Sequence, residues 1–229
     1  MYRAMALKEF REIRGIVLLA AAGYALLVVA AMAPTSPWNL LAFFRLSNGY
    51  DGDVPFVHDE FGGKFVFISV IFTIALGLRQ SLGESIRGTY PFLLHRPADR
   101  RWLIGMKLSV GAAAYLICTA VPILVYACWA ATPGTHASPF EWSMTVPIWG
   151  HWFAMTIFYL GAFHTGVRPG RWRRSRILPL AASALATIGA MTLPAMFEGS
   201  PWPCLIAVLV VDVWLIAMIL FAVQTRDYP

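Results

Sequence analysis

Charge is the scarcest ingredient of this 229-residue chain. Only 13% of its residues are Asp, Glu, Lys or Arg, about half of what a soluble domain carries. So thin a charged shell excludes an ordinary globular protein in water. Cysteine is limited to Cys118, Cys128 and Cys204. All three lie in or beside apolar runs with no Cys-x-x-Cys pair, so they read as small buried hydrophobes and not as a redox or zinc motif. His58, His95, His136, His151 and His164 are too dispersed for a metal site. No Gly-x-x-x-x-Gly-Lys-Ser/Thr loop is present, so the chain has no recognisable ATPase of its own. A membrane-embedded enzyme needs a constellation of nucleophile, base and oxyanion donors. Neither Gly-x-Ser-x-Gly, nor His-Glu-x-x-His, nor a close acidic pair within the apolar runs supplies one. There is no sustained repeat and no soluble domain, which leaves a single transmembrane domain over residues 1–229.

Apolar residues make up 59% of the chain, and they come as long runs. Six are predicted to span a membrane, at about 15–33, 64–82, 102–131, 146–167, 177–197 and 204–223, since about 20 residues of helix cross a hydrocarbon core of ~30 Å. The fold class is therefore an all-α integral membrane protein with six transmembrane helices. Met1 to Arg14 mixes apolar and basic residues, and is expected to form an amphipathic N-terminal interfacial helix with Ala6, Phe10 and Ile13 on one face. A cleaved signal peptide is the alternative for the first run; Glu9 and Glu12 in the leader and the length of the run argue against it. Residues 34–63 form a long loop, with short interfacial structure expected at Trp38 to Phe44. The third span is expected to kink at Pro122, whose ring removes a helix hydrogen bond.

The distribution of basic residues sets the orientation. With both termini in the cytoplasm, 16 of the 18 Lys and Arg residues lie inside, and only Arg45 and Lys64 lie outside. Six spans with both termini in the cytoplasm satisfy the positive-inside rule, and any odd number scrambles the pattern.

The longest basic interruption runs from Glu84 to Lys107. It combines Glu84, Arg87, a helix-breaking Gly88-Thr89, an apolar Phe92-Leu93-Leu94 triplet, Arg96-Pro97, Arg100-Arg101 and Lys107. A polar loop has no use for the triplet, and such a cluster fits either interfacial lipid or the groove of another protein. A positively charged loop that only sets topology accounts for the arginines alone.

These residues and the six-span layout resemble the permease subunit of a type-2 ATP-binding-cassette (ABC) transporter. In that family an acidic residue, a Gly-Thr, an apolar stretch ending in Arg-Pro, further basic residues and a Lys follow the second span. The resemblance implies a short cytoplasmic coupling helix between spans two and three, near Gly88 to Pro97. It would dock on a separate nucleotide-binding ATPase subunit that holds the ATP, this chain binding no cofactor itself. Glu84, Arg87, Gly88, Thr89, Phe92, Leu93, Leu94, Arg96, Pro97 and Arg100 are the implied coupling residues. The resemblance further implies a homodimer or a heterodimer with a related permease, and export as the direction, in a bacterial-type inner (plasma) membrane. An apolar pathway suits a lipid, an amphipathic drug or a peptide, and relatives also export polymers. A non-transporting scaffold or assembly factor shares every one of these features.

Asp212 is predicted to lie within the sixth span, where an acid costs roughly 2.5–3.5 kcal/mol to insert. It is either a substrate contact or proton-sensitive gate, or an acid held by a Tyr, Ser or Thr of a neighbouring span. His151 and His164, thirteen residues apart, do not stack at adjacent turns and are expected to make separate structural hydrogen bonds. Arg168 to Arg176 form a tight basic loop suited to anionic lipid headgroups or to setting topology; nucleic acid is not an expected partner. Gly77, Gly83, Gly105 and Gly111 are expected to let helices approach closely.

Overall fold

Apolar runs with no water to satisfy their backbone must close their hydrogen bonds internally, and helices do this. The computed structural model of the protein describes residues 2–32, 54–57, 60–86, 99–135, 139–168, 173–196 and 200–224. Among them it is all helical, with six long helices: α1 (Tyr2–Met32), α2 (Phe61–Ile86), α3 (Arg100–Ala130), α4 (Val146–Val167), α5 (Arg173–Met196) and α6 (Trp202–Gln224). A 3₁₀ turn, Trp142–Thr145, leads into α4.

Four helices contain stretches long and apolar enough to cross a membrane: Ala4–Met32, Phe61–Gly83, Arg100–Ala130 and Trp202–Gln224. A shorter apolar stretch, Ile177–Leu193, lies in α5. Helix α4 occupies the predicted 146–167, but its Trp, Gly, His and Tyr residues set it apart from those aliphatic stretches. It packs on α2, α3, α5 and α6, and every residue from Ala154 to Val167 is buried except the half-buried Phe158. The other helices carry outward-facing aliphatics, such as Leu18 and Leu19 on α1, Ile71 on α2, Ile117 on α3, Leu185 on α5 and Val210 on α6. An apolar belt on this scale is far beyond what a soluble monomer exposes.

The helices alternate in direction. The start of α1 meets the start of α3, where Lys107 pairs with Glu9, and the end of α2 meets α3, where Gln80 bonds the Lys107 carbonyl. Arg101 ties the start of α3 to Gln224 at the end of α6 at 3.0 Å. One end of the bundle thus carries the first turns of α1, α3 and α5 with Arg11, Arg14, Arg100 and Arg101, and is here termed the basic end. The opposite end holds an aromatic cluster: Phe61 stacks on Tyr126 at 4.4 Å, and Phe56 packs on both. Phe56 has a positive φ of 68°, so its ring is turned into this cluster at the expense of backbone strain.

The expected interfacial helix is corrected. Residues 2–14 continue into the first span as one 31-residue helix, about 46 Å long at 1.5 Å per residue, so its first turns extend past a ~30 Å core. Its buried stripe runs through Glu9, Ile13, Ala20, Tyr24, Leu27 and Ala31, while Phe10 points outward. Helix α3 runs unbroken through the buried Pro122. Cys204 is buried as expected, but Cys128 faces outward.

Close approach is concentrated on α4. A Cβ on Gly77 of α2 would sit 2.6 Å from the Tyr159 carbonyl oxygen, and Gly111 of α3 faces the Tyr159 hydroxyl and Gln80. Gly161 and Gly166 of α4 receive Ser183 of α5 and Ser81 of α2. Gly83 and Gly105 do not serve this purpose: the nearest atom to a Cβ on Gly83 is 3.9 Å away, and Gly105 opens outward with nothing in reach.

Candidate functional site

At the basic end four helices meet through one buried polar chain. Lys107 Nζ of α3 donates to Glu9 Oε2 of α1 at 2.9 Å, and both side chains are only 2% exposed. The Lys107 carbonyl accepts from Gln80 Nε2 of α2 at 3.1 Å. Gln80 Oε1 in turn accepts from the Tyr159 hydroxyl of α4 at 2.7 Å. Gln80 and Tyr159 are equally buried. Helical periodicity puts each residue there: Lys107 shares the inward stripe of α3 with Leu103, Ile104, Leu108, Gly111 and Tyr115. Removing two charges from water costs several kcal/mol each, and an ion pair with satisfied neighbours is how a dry interior keeps them. Chemically the arrangement holds no nucleophile aimed at a cavity. It fixes α1, α2, α3 and α4 relative to one another.

Of the implied coupling residues, the structure describes Arg100 and the backbone of Glu84. Arg87, Gly88, Thr89, Phe92, Leu93, Leu94, Arg96 and Pro97 lie outside the described residues, as does the side chain of Glu84, whose backbone belongs to the last turn of α2. Arg100 opens α3 and is half-buried. Asp99 caps that helix, its Oδ1 accepting from the Arg101 backbone N–H at 3.0 Å, which satisfies one of the orphan donors of the first turn. The two helices that leave the segment are thus α2 and α3, and they are bonded to each other through Gln80 and Lys107.

A second polar contact lies deeper. Asp212, at the middle of α6, has its Oδ2 2.6 Å from the Thr156 hydroxyl of α4. That hydroxyl also lies 2.7 Å from the Phe153 carbonyl, and its one proton serves one acceptor at a time. Asp212 Oδ1 has no partner. His151 is half-buried and His164 buried; the expected structural hydrogen bond is missing at His164 Nδ1, which also has no partner.

Two cavities border α4 and α6. One, of about 550 Å³, lies near the start of both helices and is walled by Trp149, Trp152, Trp202, Leu205 and Leu209. The other, of about 210 Å³, lies towards the basic end between α4, α5 and α6 and includes His164, Arg168 and Ser183. Among the described residues no group of three His, Cys, Asp or Glu side chains is placed to hold a metal.

Glu9, Gln80, Tyr159 and Ser183 were not legible as site residues in the sequence. The available signal was Glu9 falling in register with Ile13, Ala20 and Tyr24 on a buried stripe. Lys107 was legible only as part of the positively charged segment. No protein-family model, curated protein or solved structure matches the chain.

Proposed function

We propose that this chain is the membrane-spanning permease subunit of an ATP-driven exporter, working with a separate ATPase subunit. All six helices cross a bacterial-type inner membrane in this reading, with both termini and the basic end in the cytoplasm. Helix α4 is the internal span, and two copies, or this chain and a related one, form the full transporter. The ATPase docks on the Phe92-Leu93-Leu94 cluster, with Arg87, Arg96 and Arg100 steering acidic rim residues, a role in which charge sets encounter more than it holds the complex.

The observation that carries the reading is the buried chain Glu9–Lys107–Gln80–Tyr159. A force applied between α2 and α3 needs a rigid route into the bundle, and coupling travels through packed and hydrogen-bonded contacts that move together. This chain joins the two flanking helices to α1 and to the central α4. A loop that only sets topology has no need of a dry four-helix junction beneath it.

The test is capture of the ATPase. Tagged full-length protein purified in mild detergent is expected to retain a stoichiometric ATPase subunit. Replacing Phe92, Leu93 and Leu94 with Ala is expected to leave membrane insertion intact and abolish that capture. A wild-type preparation that lacks any ATPase, even after crosslinking, would refute the proposal and favour a non-transporting scaffold.

A further inference from the structure

Buried hydroxyls on these helices follow one habit. Thr73, Ser81, Thr119, Thr165 and Thr187 each donate to the carbonyl four residues back, at 2.7–2.9 Å. Ser69 pairs with Tyr24, Thr145 with the Trp142 carbonyl, and Thr156 with Phe153 and Asp212. Ser183 is the exception: it is 2% exposed, and its Oγ has no partner. His164 Nδ1, on a side chain 7% exposed, has none either. Leaving such an atom buried and unsatisfied costs roughly 1–3 kcal/mol, and the two residues that carry these atoms both line the same 210 Å³ cavity.

The rest of that cavity narrows the chemistry. Its walls are Leu178, Pro179, Val211, Trp214, Leu215 and Met218, with Arg168 beside His164. Leu178 and Trp214 are 57% and 56% exposed on the outer face of the bundle, so the cavity opens sideways between α5 and α6, where this membrane protein meets acyl chains. Its volume equals that of about seven waters, room for a headgroup and the first carbons of a chain whose remainder lies outside.

We propose that the α4–α5–α6 cavity binds an anionic membrane lipid, whose headgroup oxyanion accepts hydrogen bonds from Ser183 and His164 and faces Arg168. Ser183 Oγ–H and His164 Nδ1–H, in the tautomer that places the proton there, supply the donors that the fold leaves unused. The guanidinium supplies the countercharge, as basic pockets between transmembrane helices do for lipid phosphates. The lipid chain covers Leu178 and Trp214. Gly161 is part of the device, because its missing Cβ leaves the space that the Ser183 side chain occupies. This site does not depend on ATPase coupling and stands or falls separately from it.

The experiment is photolabelling of the purified full-length protein in phosphatidylcholine vesicles. The vesicles carry a trace of photoreactive phosphatidic acid or, in parallel, photoreactive phosphatidylcholine, each with the reactive group near the start of its acyl chain. Phosphatidic acid is expected to label peptides within 178–186 and 211–218 well above phosphatidylcholine. Ser183→Ala is expected to lower phosphatidic acid labelling there about tenfold, the loss of a hydrogen bond to a charged group, with phosphatidylcholine labelling unchanged. Arg168→Gln, a surface change that tests the site without disturbing packing, is expected to lower it a few-fold. Equal labelling by the two lipids, or phosphatidic acid labelling indifferent to both substitutions, overturns the proposal. Full competition by inorganic phosphate also overturns it, because the ligand is then an aqueous anion and not a lipid.

Discussion

Lys107→Met tests whether the ion pair at the basic end is as dry as its geometry states. The substitution keeps the volume of the side chain but takes the ammonium away from the Glu9 carboxylate, which is 2% exposed. Breaking a buried pair from one side costs roughly 3–5 kcal/mol. For a chain of this size that is a fall in thermal midpoint of roughly 6–20 °C, taking about 2–4 °C per kcal/mol. Glu9→Leu removes the carboxylate instead and is expected to cost a similar amount. The double variant removes both charges, and replacing a whole buried pair with apolar groups is about neutral or stabilising. Its midpoint should therefore return near the parent value, giving a coupling energy of roughly 6–10 kcal/mol, the sum of the two single losses, in the double-mutant cycle. The assay is size-exclusion chromatography of a fluorescent fusion after stepwise heating in mild detergent. Raising the salt concentration should leave all four midpoints in the same order, since a buried pair escapes screening. If the double variant falls by the sum of the two singles, the charges do not meet inside the protein and the four-helix junction is wrong.

Gly77→Ala is expected to destabilise by about 1–3 kcal/mol through overpacking, because the new methyl meets the Tyr159 carbonyl at 2.6 Å; Gly105→Ala, facing open space, should be neutral, and the same heating assay ranks them. Thr156→Val leaves Asp212 without its hydroxyl partner and should cost about 1–3 kcal/mol. Asp212→Asn should keep the fold, its amide able to donate to Thr156 while Thr156 donates to Phe153; the opposite order of stabilities would refute this reading of the contact. Under the proposed orientation, a cysteine at Ala131, the exposed residue capping the end of α3, should react with an impermeant maleimide on intact cells in a cysteine-free background. Labelling only after lysis would reverse the orientation.

The positions of the helices were largely legible because lipid leaves long uncharged runs between clusters of arginine, and Val146–Val167 was bounded to the residue. The extent of α1 was not. Arg3, Lys8, Arg11 and Arg14 suggest a surface, yet at 1.5 Å per residue they also fit a helix that outruns the bilayer. The Glu9–Lys107 contact joins residues 98 apart. Each charge alone has a sufficient local explanation, in the leader or in the basic segment, so nothing in the sequence asks for the pairing. The same holds for Ser183: a serine in an apolar run predicts a bond to its own helix, and only the packing shows that this bond is missing. The segment Arg87 to Ala98, on which most of the coupling residues fall, lies outside the described residues.

The distance in sequence between Glu9 and Lys107 has a consequence for how the protein is made. The acid leaves the ribosome 98 residues before its partner, and at 5–20 residues per second that is roughly 5–20 s. During this interval Lys107 has not yet been made to meet the Glu9 carboxylate. The early turns of α1 must then wait at the water boundary, and settle only when the third helix arrives. The final seating of the first helix is thus an event of late synthesis, and a chain truncated before Lys107 should leave Glu9 open to the aqueous phase.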